Sequence, residues 1–207
     1  MRRFLRYEVH PQNPQDRLLQ YVATQVRAGS IAALPTVAGY GLACRLDDKA
    51  ATDKLRRTAE LDERAPAALL CRDLAQAAGY VQVHDGAFRA MRDAADGGTA
   101  FVLRSTRRVP RRLAAAAGGA SVLHFSGHAA TQALLALLDE PLLIAWPRGT
   151  VATSLDALPA RWQGVVDVAL DAGPLPAART ARVDDLDGLL QARPSLSRWA
   201  GAVPMLA

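Results

Sequence analysis

Short apolar runs that alternate with amphipathic segments constrain this chain most. Residues 31–34, 67–71, 99–103, 121–125, 142–146 and 165–170 are largely apolar stretches bounded by turn residues, and 4–9 alternates apolar with charged residues. They are too short for buried helices and predict strands. The segments between them carry helix signals. Asn13 caps a first helix with Pro14 at its first position, Leu18, Leu19, Val22 and Val26 form its stripe, and Gly29 ends it. Asp47 or Asp48 caps a second helix that turns Ala51, Leu55 and Ala59 inward, and Arg72-Asp73-Leu74 opens a third. Further helices are predicted over 84–96, 109–117 and 131–138. Strands separated by helices imply an α/β fold around a mixed, mainly parallel sheet. Pro174, Pro176, Pro194 and Pro204 then break the pattern. The reading is one α/β domain over 1–173 and an extension, 174–207, packed on it, with 182–186 as a last edge strand.

Size and charge narrow the class. A chain of 207 residues that is 50% apolar can bury a full core. No apolar run is long enough to span a bilayer, and the first residues lack a signal-peptide stretch, so no membrane partner and a cytoplasmic location are expected. Cys44 and Cys71 have neither metal-ligand nor redox spacing and read as reduced core residues. The net charge is +5, and Lys49 and Lys54 are the two lysines among 25 basic residues. Guanidinium forks suit phosphates and carboxylates, although an alanine- and arginine-rich composition can also reflect the base composition of a genome.

The stretch Ile31-Ala32-Ala33-Leu34-Pro35-Thr36, followed by Gly39-Tyr40-Gly41-Leu42, is the candidate site. A buried strand is expected to stop at Pro35, which has no N–H and a fixed φ. Gly39 and Gly41 then allow a second strand to begin after a tight bend, with backbone open to a ligand. Strand-end loops of open α/β sheets are where such folds place their chemistry.

The Pro-Thr and Tyr-Gly-Leu pieces, with Asn13-Pro14-Gln15-Asp16-Arg17-Leu18, Cys71-Arg72-Asp73-Leu74, Val109-Pro110-Arg111-Arg112-Leu113, Gln132-Ala133-Leu134-Leu135 and Glu140-Pro141, resemble the YrdC/YciO family in order and spacing. The resemblance runs from about Tyr7 to Trp146 and is nearer to the YciO branch. It implies a single-domain, open, twisted mixed sheet with a basic concave face. It also implies relatives that make threonylcarbamoyl-adenylate from threonine, bicarbonate and ATP for tRNA modification, and members that bind double-stranded RNA or tRNA.

Carried over by position, the family pattern leaves Thr36, Tyr40, Arg57 and His124 as the substrate or nucleotide cleft, and assigns no catalytic residue. Val37 and Ala38 stand where polar residues are usual, and Ala59 replaces the second member of a Lys-x-Arg pair. His124-Phe125-Ser126 replaces an Arg-Val-Pro segment, and Ile144-Ala145-Trp146-Pro147 replaces a Ser- and Asn-bearing phosphate loop. Losing several groups around phosphates is multiplicatively costly for adenylyl transfer. The expected function is therefore binding of RNA or a nucleotide. A retained ligase that uses ATP and Mg is the alternative, and an interaction subunit whose cleft is filled by Trp146 and Phe125 is a third.

Arg104, Arg107, Arg108, Arg111 and Arg112 form the densest basic stretch and are the RNA-binding candidates, with Lys54, Arg56 and Arg57 as an extension. The competing reading is a solvated charge run. His124 and His128 have ligand spacing only on a helix, with no third ligand near, so no metal site is expected. Ser126 is not in a nucleophile elbow, Gly118-Gly119 lacks the P-loop lysine, and Asp184, Asp185 and Asp187 lack calcium-loop spacing.

Overall fold

A strand that is apolar on every side chain must be covered on both faces, and that requirement organises this molecule. The computed structural model describes residues 4–61, 65–94, 97–176 and 182–189. Nine strands are formed among the described residues: β1 (Leu5–Glu8), β2 (Ala32–Thr36), β3 (Gly39–Arg45), β4 (Ala67–Cys71), β5 (Thr99–Arg104), β6 (Ala120–Phe125), β7 (Leu142–Ala145), β8 (Val168–Asp171) and β9 (Arg182–Asp185). They make one open sheet in the order β1-β8-β2-β3-β7-β4-β6-β5-β9.

Four of the eight pairings are parallel (β1 with β8, β2 with β8, β4 with β6, β5 with β9) and four antiparallel (β2 with β3, β3 with β7, β4 with β7, β5 with β6). The sheet is thus mixed but not mainly parallel. Burial on both faces makes parallel and antiparallel strands look alike in sequence, so composition could not separate them.

Helices α1 (Asp16–Arg27), α2 (Lys49–Thr58), α3 (Leu74–Ala78), α4 (Asp85–Asp93), α5 (Arg111–Ala116), α6 (Ala129–Leu138) and α7 (Ala160–Gln163) fill the two outer layers. Leu19, Val22, Ala23 and Val26 of α1 and Ala130, Leu134, Leu135 and Leu138 of α6 share one cluster with Ala32, Leu34, Ala43 and Ile144. On the other face, Ala51 and Leu55 of α2, Ala77 of α3, Ala87 and Met91 of α4, Leu113 of α5 and Trp162 of α7 pack with Ile31, Leu42, Leu69 and Phe101. Each fully buried leucine or valine of these stripes stabilises the fold by about 1.5–3 kcal/mol.

Local signals explain the boundaries. Asp48 accepts the Ala51 N–H at 2.9 Å and Asp73 the Gln76 N–H at 2.8 Å, each starting its helix. The first helix begins later than Asn13-Pro14 suggests. The His10 ring nitrogen accepts the N–H groups of Gln12 and Asn13, which holds those residues in a turn, and Gln15 becomes the N-cap. The strand after Ile31 does not stop at Pro35 but runs through Thr36. Opposite Pro35, Tyr40 sends its N–H away to the Ala152 carbonyl at 2.8 Å, so the ladder asks for no N–H from the proline. Residues 182–186 do supply an edge strand, β9, while the rest of the expected extension beyond Leu189 lies outside the described residues.

Candidate functional site

Alternation along β2 and β3 decides what the candidate residues can share. Thr36 lies on the α1/α6 face with Ala32 and Leu34, whereas Tyr40 lies on the opposite face with Leu42 and Cys44. The two residues expected to line one cleft are therefore on different sides of the sheet.

On the α1/α6 face the end of the hairpin is filled. The Thr36 hydroxyl donates to the Gly39 carbonyl at 2.7 Å, accepts the Ala38 N–H at 3.1 Å, and accepts the Trp146 indole N–H at 3.2 Å. Both lone pairs and the proton are engaged. Trp146 is buried, and its indole ring lies 4.9 Å, centroid to centroid, from the His124 ring at a 59° tilt. Gly41 makes room for it, since a Cβ there would stand 2.9 Å from the indole nitrogen. His124 and Trp146 thus fill the hollow beside Thr36. Phe125 alternates to the other face, where it meets Phe101 edge-on at 6.3 Å.

Burial pushes the His124 pKa down to about 3, so the ring is neutral at physiological pH, and its Nε2 has no hydrogen-bond partner among the described residues. His128 is also held below the usual histidine range by burial, and its Nδ1 accepts the Ala130 N–H at the start of α6. Thr131, one turn along α6, donates to the Pro35 carbonyl at 2.6 Å and Ser126 bonds His128. Neither stands in a motif; a polar residue within an otherwise apolar buried stripe is the signal that could have found Thr131. Over this end, Gly97 has φ +87°, and a Cβ on it would sit 2.8 Å from the Phe125 carbonyl and 3.0 Å from the Val37 side chain. The loop before β5 therefore lies directly on the strand ends.

On the other face, the Tyr40 hydroxyl accepts the Ala172 N–H at 2.9 Å and donates to the Gly173 carbonyl at 2.8 Å, with the Asp171 carboxylate 3.3 Å away. Burial raises the phenol well above its ordinary value. Arg6 closes the same knot with a salt bridge to Asp171. Tyr40 thus fastens the end of β8 to β3. Arg57 is exposed on the last turn of α2, also on this side of the sheet and so away from Thr36 and His124.

The arginine stretch divides in the structure. Arg112 turns inward, donating to the Leu46 carbonyl at 2.7 Å and the Thr52 hydroxyl at 3.2 Å, so it ties α5 to the start of α2. Arg108 lies 4.7 Å over the Tyr80 ring. Arg104, Arg107 and Arg111 are exposed. Of the extension, Arg56 bonds the Ala65 carbonyl and Lys54 the Val165 carbonyl. Between β5 and α5 the loop is held firmly: Thr106 donates its hydroxyl to Gly79 at 2.7 Å and its N–H to Tyr80 at 2.8 Å, and Ser105 bonds Ser121 at 2.7 Å. Among the described residues no group of three or more His, Cys, Asp or Glu could hold a metal ion, and no helix is long and apolar enough to cross a membrane.

An open mixed sheet, covered on both faces and carrying a Pro-Thr hairpin end, defines a single-domain α/β protein of a distinct topology. The chain belongs to the Sua5/YciO/YrdC family, whose model, described as "Telomere recombination", matches residues 24–191. It is 36% identical over 137 residues to the protein YciO of Escherichia coli strain K12, a match that spans 66% of each sequence, just under two thirds of the relative. The crystal structure of E. coli YciO superposes with a TM-score of 0.81 at 30% identity, covering 89% of this chain and 92% of that one. P. abyssi Sua5 complexed with L-threonine shares the fold with a TM-score of 0.76 at 19% identity, over 88% of this chain and 54% of that one. Full-length HypF in a phosphate- and nucleotide-bound form does so with a TM-score of 0.63 at 18% identity, over 81% and 27%.

Proposed function

We propose that this chain is an RNA-binding protein of the YciO kind, engaging double-stranded RNA or tRNA through phosphate contacts rather than making threonylcarbamoyl-adenylate. The observation that carries the reading is the loop between β5 and α5. It is fixed at Ser105 and Thr106 and, with the first residue of α5, presents Arg107 and Arg111 to solvent without an acidic partner among the described residues. Arginines on a preordered loop lose little entropy on meeting phosphates, and they give affinity without sequence readout. Arg108, braced on Tyr80, is exposed next to them, and Arg104 at the end of β5 and Arg57 on α2 are exposed as well. Arg112, engaged with Leu46 and Thr52, acts as a brace for the patch.

The alternative is the ligase, which would bind a nucleotide and threonine with ATP and Mg at the Thr36 end. Structural likeness to threonine-bound Sua5 and nucleotide-bound HypF favours it at the level of the fold. The residues count against it: the Thr36 hydroxyl is engaged three ways, His124 is neutral and buried, and the indole of Trp146 stands beside them. None of these offers a charge to a triphosphate. We also assign the protein to a reducing compartment such as the cytoplasm, because Cys44 and Cys71 are both free and buried, with burial raising each thiol pKa.

The test is titration of tRNA and of a short RNA duplex at several salt concentrations. Reversing Arg107 and Arg111 to Glu is expected to weaken binding at least tenfold and to flatten the salt dependence. Unchanged affinity and slope would remove this loop as the site. Release of pyrophosphate from ATP with threonine and bicarbonate would instead favour the ligase.

A further inference from the structure

β1 is the outermost strand of the sheet, and its outer edge has no partner strand among the described residues. Leu5 and Val9 donate their N–H groups to the carbonyls of Asp167 and Asp171, at 3.0 and 2.8 Å. By alternation the odd residues of β1 face β8, and Arg6 and Glu8 point their backbone N–H and C=O groups outward. No described residue pairs with those outward groups. On the α1/α6 side of the same edge, Leu5 is 52% and Tyr21 46% exposed. Tyr7 stacks on Tyr21 with ring centroids 6.1 Å apart and planes at 11°, and Arg17 lies 5.7 Å over Tyr21. An unpaired edge beside exposed aromatic and aliphatic side chains is a template for another strand.

We propose that this edge pairs with β1 of a second copy of the chain, antiparallel about Tyr7, joining two nine-stranded sheets into one. Geometry restricts the registers. In an antiparallel ladder, residues whose backbone groups point outward must face each other, so within the strand Leu5–Glu8 Arg6 and Glu8 can meet only Arg6 or Glu8 of the other copy. Setting Arg6 against Arg6, or Glu8 against Glu8, puts like charges directly opposite. The register centred on Tyr7 sets Arg6 against Glu8 and Glu8 against Arg6, which gives two hydrogen-bonded pairs of opposite charge. Both side chains are on the sheet face that carries Asp171, to which Arg6 is bridged. Tyr7 then meets its own copy in the closer, non-hydrogen-bonded pair, and Leu5 lies diagonal to the other Tyr7. The two Tyr7–Tyr21 stacks come together and cover the exposed apolar strip. The sequence Leu5-Arg6-Tyr7-Glu8 is therefore complementary to itself when reversed.

The register is what the experiment reads. Tyr7→Cys places two sulfurs on strands about 4.5 Å apart at the symmetry axis, within reach of a disulfide. Leu5→Cys, at the more exposed position, puts the two cysteines four strand steps apart, about 13 Å, beyond reach. Under mild oxidation of the full-length protein, Tyr7→Cys is expected to form a covalent dimer at least tenfold faster than Leu5→Cys, with Cys44 and Cys71 buried and silent. Random collision predicts the reverse order. In sedimentation velocity the unmodified protein is expected to shift toward dimer as concentration rises. Glu8→Arg, a change at an exposed side chain that leaves the fold intact, should weaken that association at least tenfold. A protein that stays monomeric at all concentrations, or Leu5→Cys cross-linking as fast as Tyr7→Cys, overturns the proposal.

Discussion

Replacing Trp146 tests whether the strand-end hollow is structurally filled. The indole is 4% exposed, donates its N–H to Thr36 at 3.2 Å and lies against His124. Trp146→Ala removes a large buried ring beside Gly41, which has no side chain to relax into the space. The cost should lie at the upper end of the usual range for aromatic truncation, about 3–5 kcal/mol. With a urea m-value of about 2 kcal/mol/M, the unfolding midpoint falls by about 2 M. Trp146→Phe keeps most of the ring and loses the donor. Thr36 still accepts the Ala38 N–H at 3.1 Å, so its hydroxyl is not orphaned. That variant should cost about 1 kcal/mol, the net value of one hydrogen bond. Equilibrium urea unfolding of the three proteins, followed by far-UV circular dichroism, gives both numbers. If Trp146→Ala lies within about 1 kcal/mol of the parent, or if the phenylalanine variant is as costly as the alanine one, the ring does not support the fold as described.

Two further outcomes follow from buried polar groups. The His124 pKa is about 3 in the folded protein and near 6.5 in the unfolded chain, so between these values the unfolded chain binds the extra proton. Stability is then complete above about pH 6.5 and declines as pH falls toward 3, by up to about 1.4 kcal/mol per pH unit from this residue alone. The urea midpoint of His124→Gln between pH 7.5 and 5 should fall less than that of the parent, and equal slopes would refute the assignment. Tyr40→Phe takes away the acceptor of the Ala172 N–H and the donor to Gly173. It should cost about 1–3 kcal/mol in the same assay, and a neutral result would show that water takes over these bonds.

Much of this architecture is legible from residues whose signal is local. Asp73 after an apolar run marks the end of β4 and the start of α3, and Leu19, Val22 and Val26 mark the buried face of α1. What stays hidden depends on partners distant in sequence. Pro35 looks like a stop because nothing in the chain says that Tyr40 turns its N–H to Ala152. Thr36 and Tyr40 read as one site because they are close in sequence, yet a tight hairpin with a period of two sends them to opposite faces. The resemblance sets Trp146 where a phosphate loop is expected, but only the fold reveals that its indole reaches Thr36 across 110 residues. The arginine run shows its charge plainly, whereas the inward turn of Arg112 depends on Leu46, just after β3, and Thr52 of α2, 66 and 60 residues away in sequence.

The position of β8 carries a consequence for biosynthesis. Leu5 is in register with Val168, and β8 also lies between β1 and β2, which are near neighbours along the chain. A ribosome delivers β1 before β2, yet its docking place is absent until translation has passed residue 171. The β2–β3 hairpin can close within a few residues of its emergence, while β1 must wait for most of the polypeptide. β1 is thus the strand that waits longest for its partner in a nascent chain, and it needs shielding in the interval.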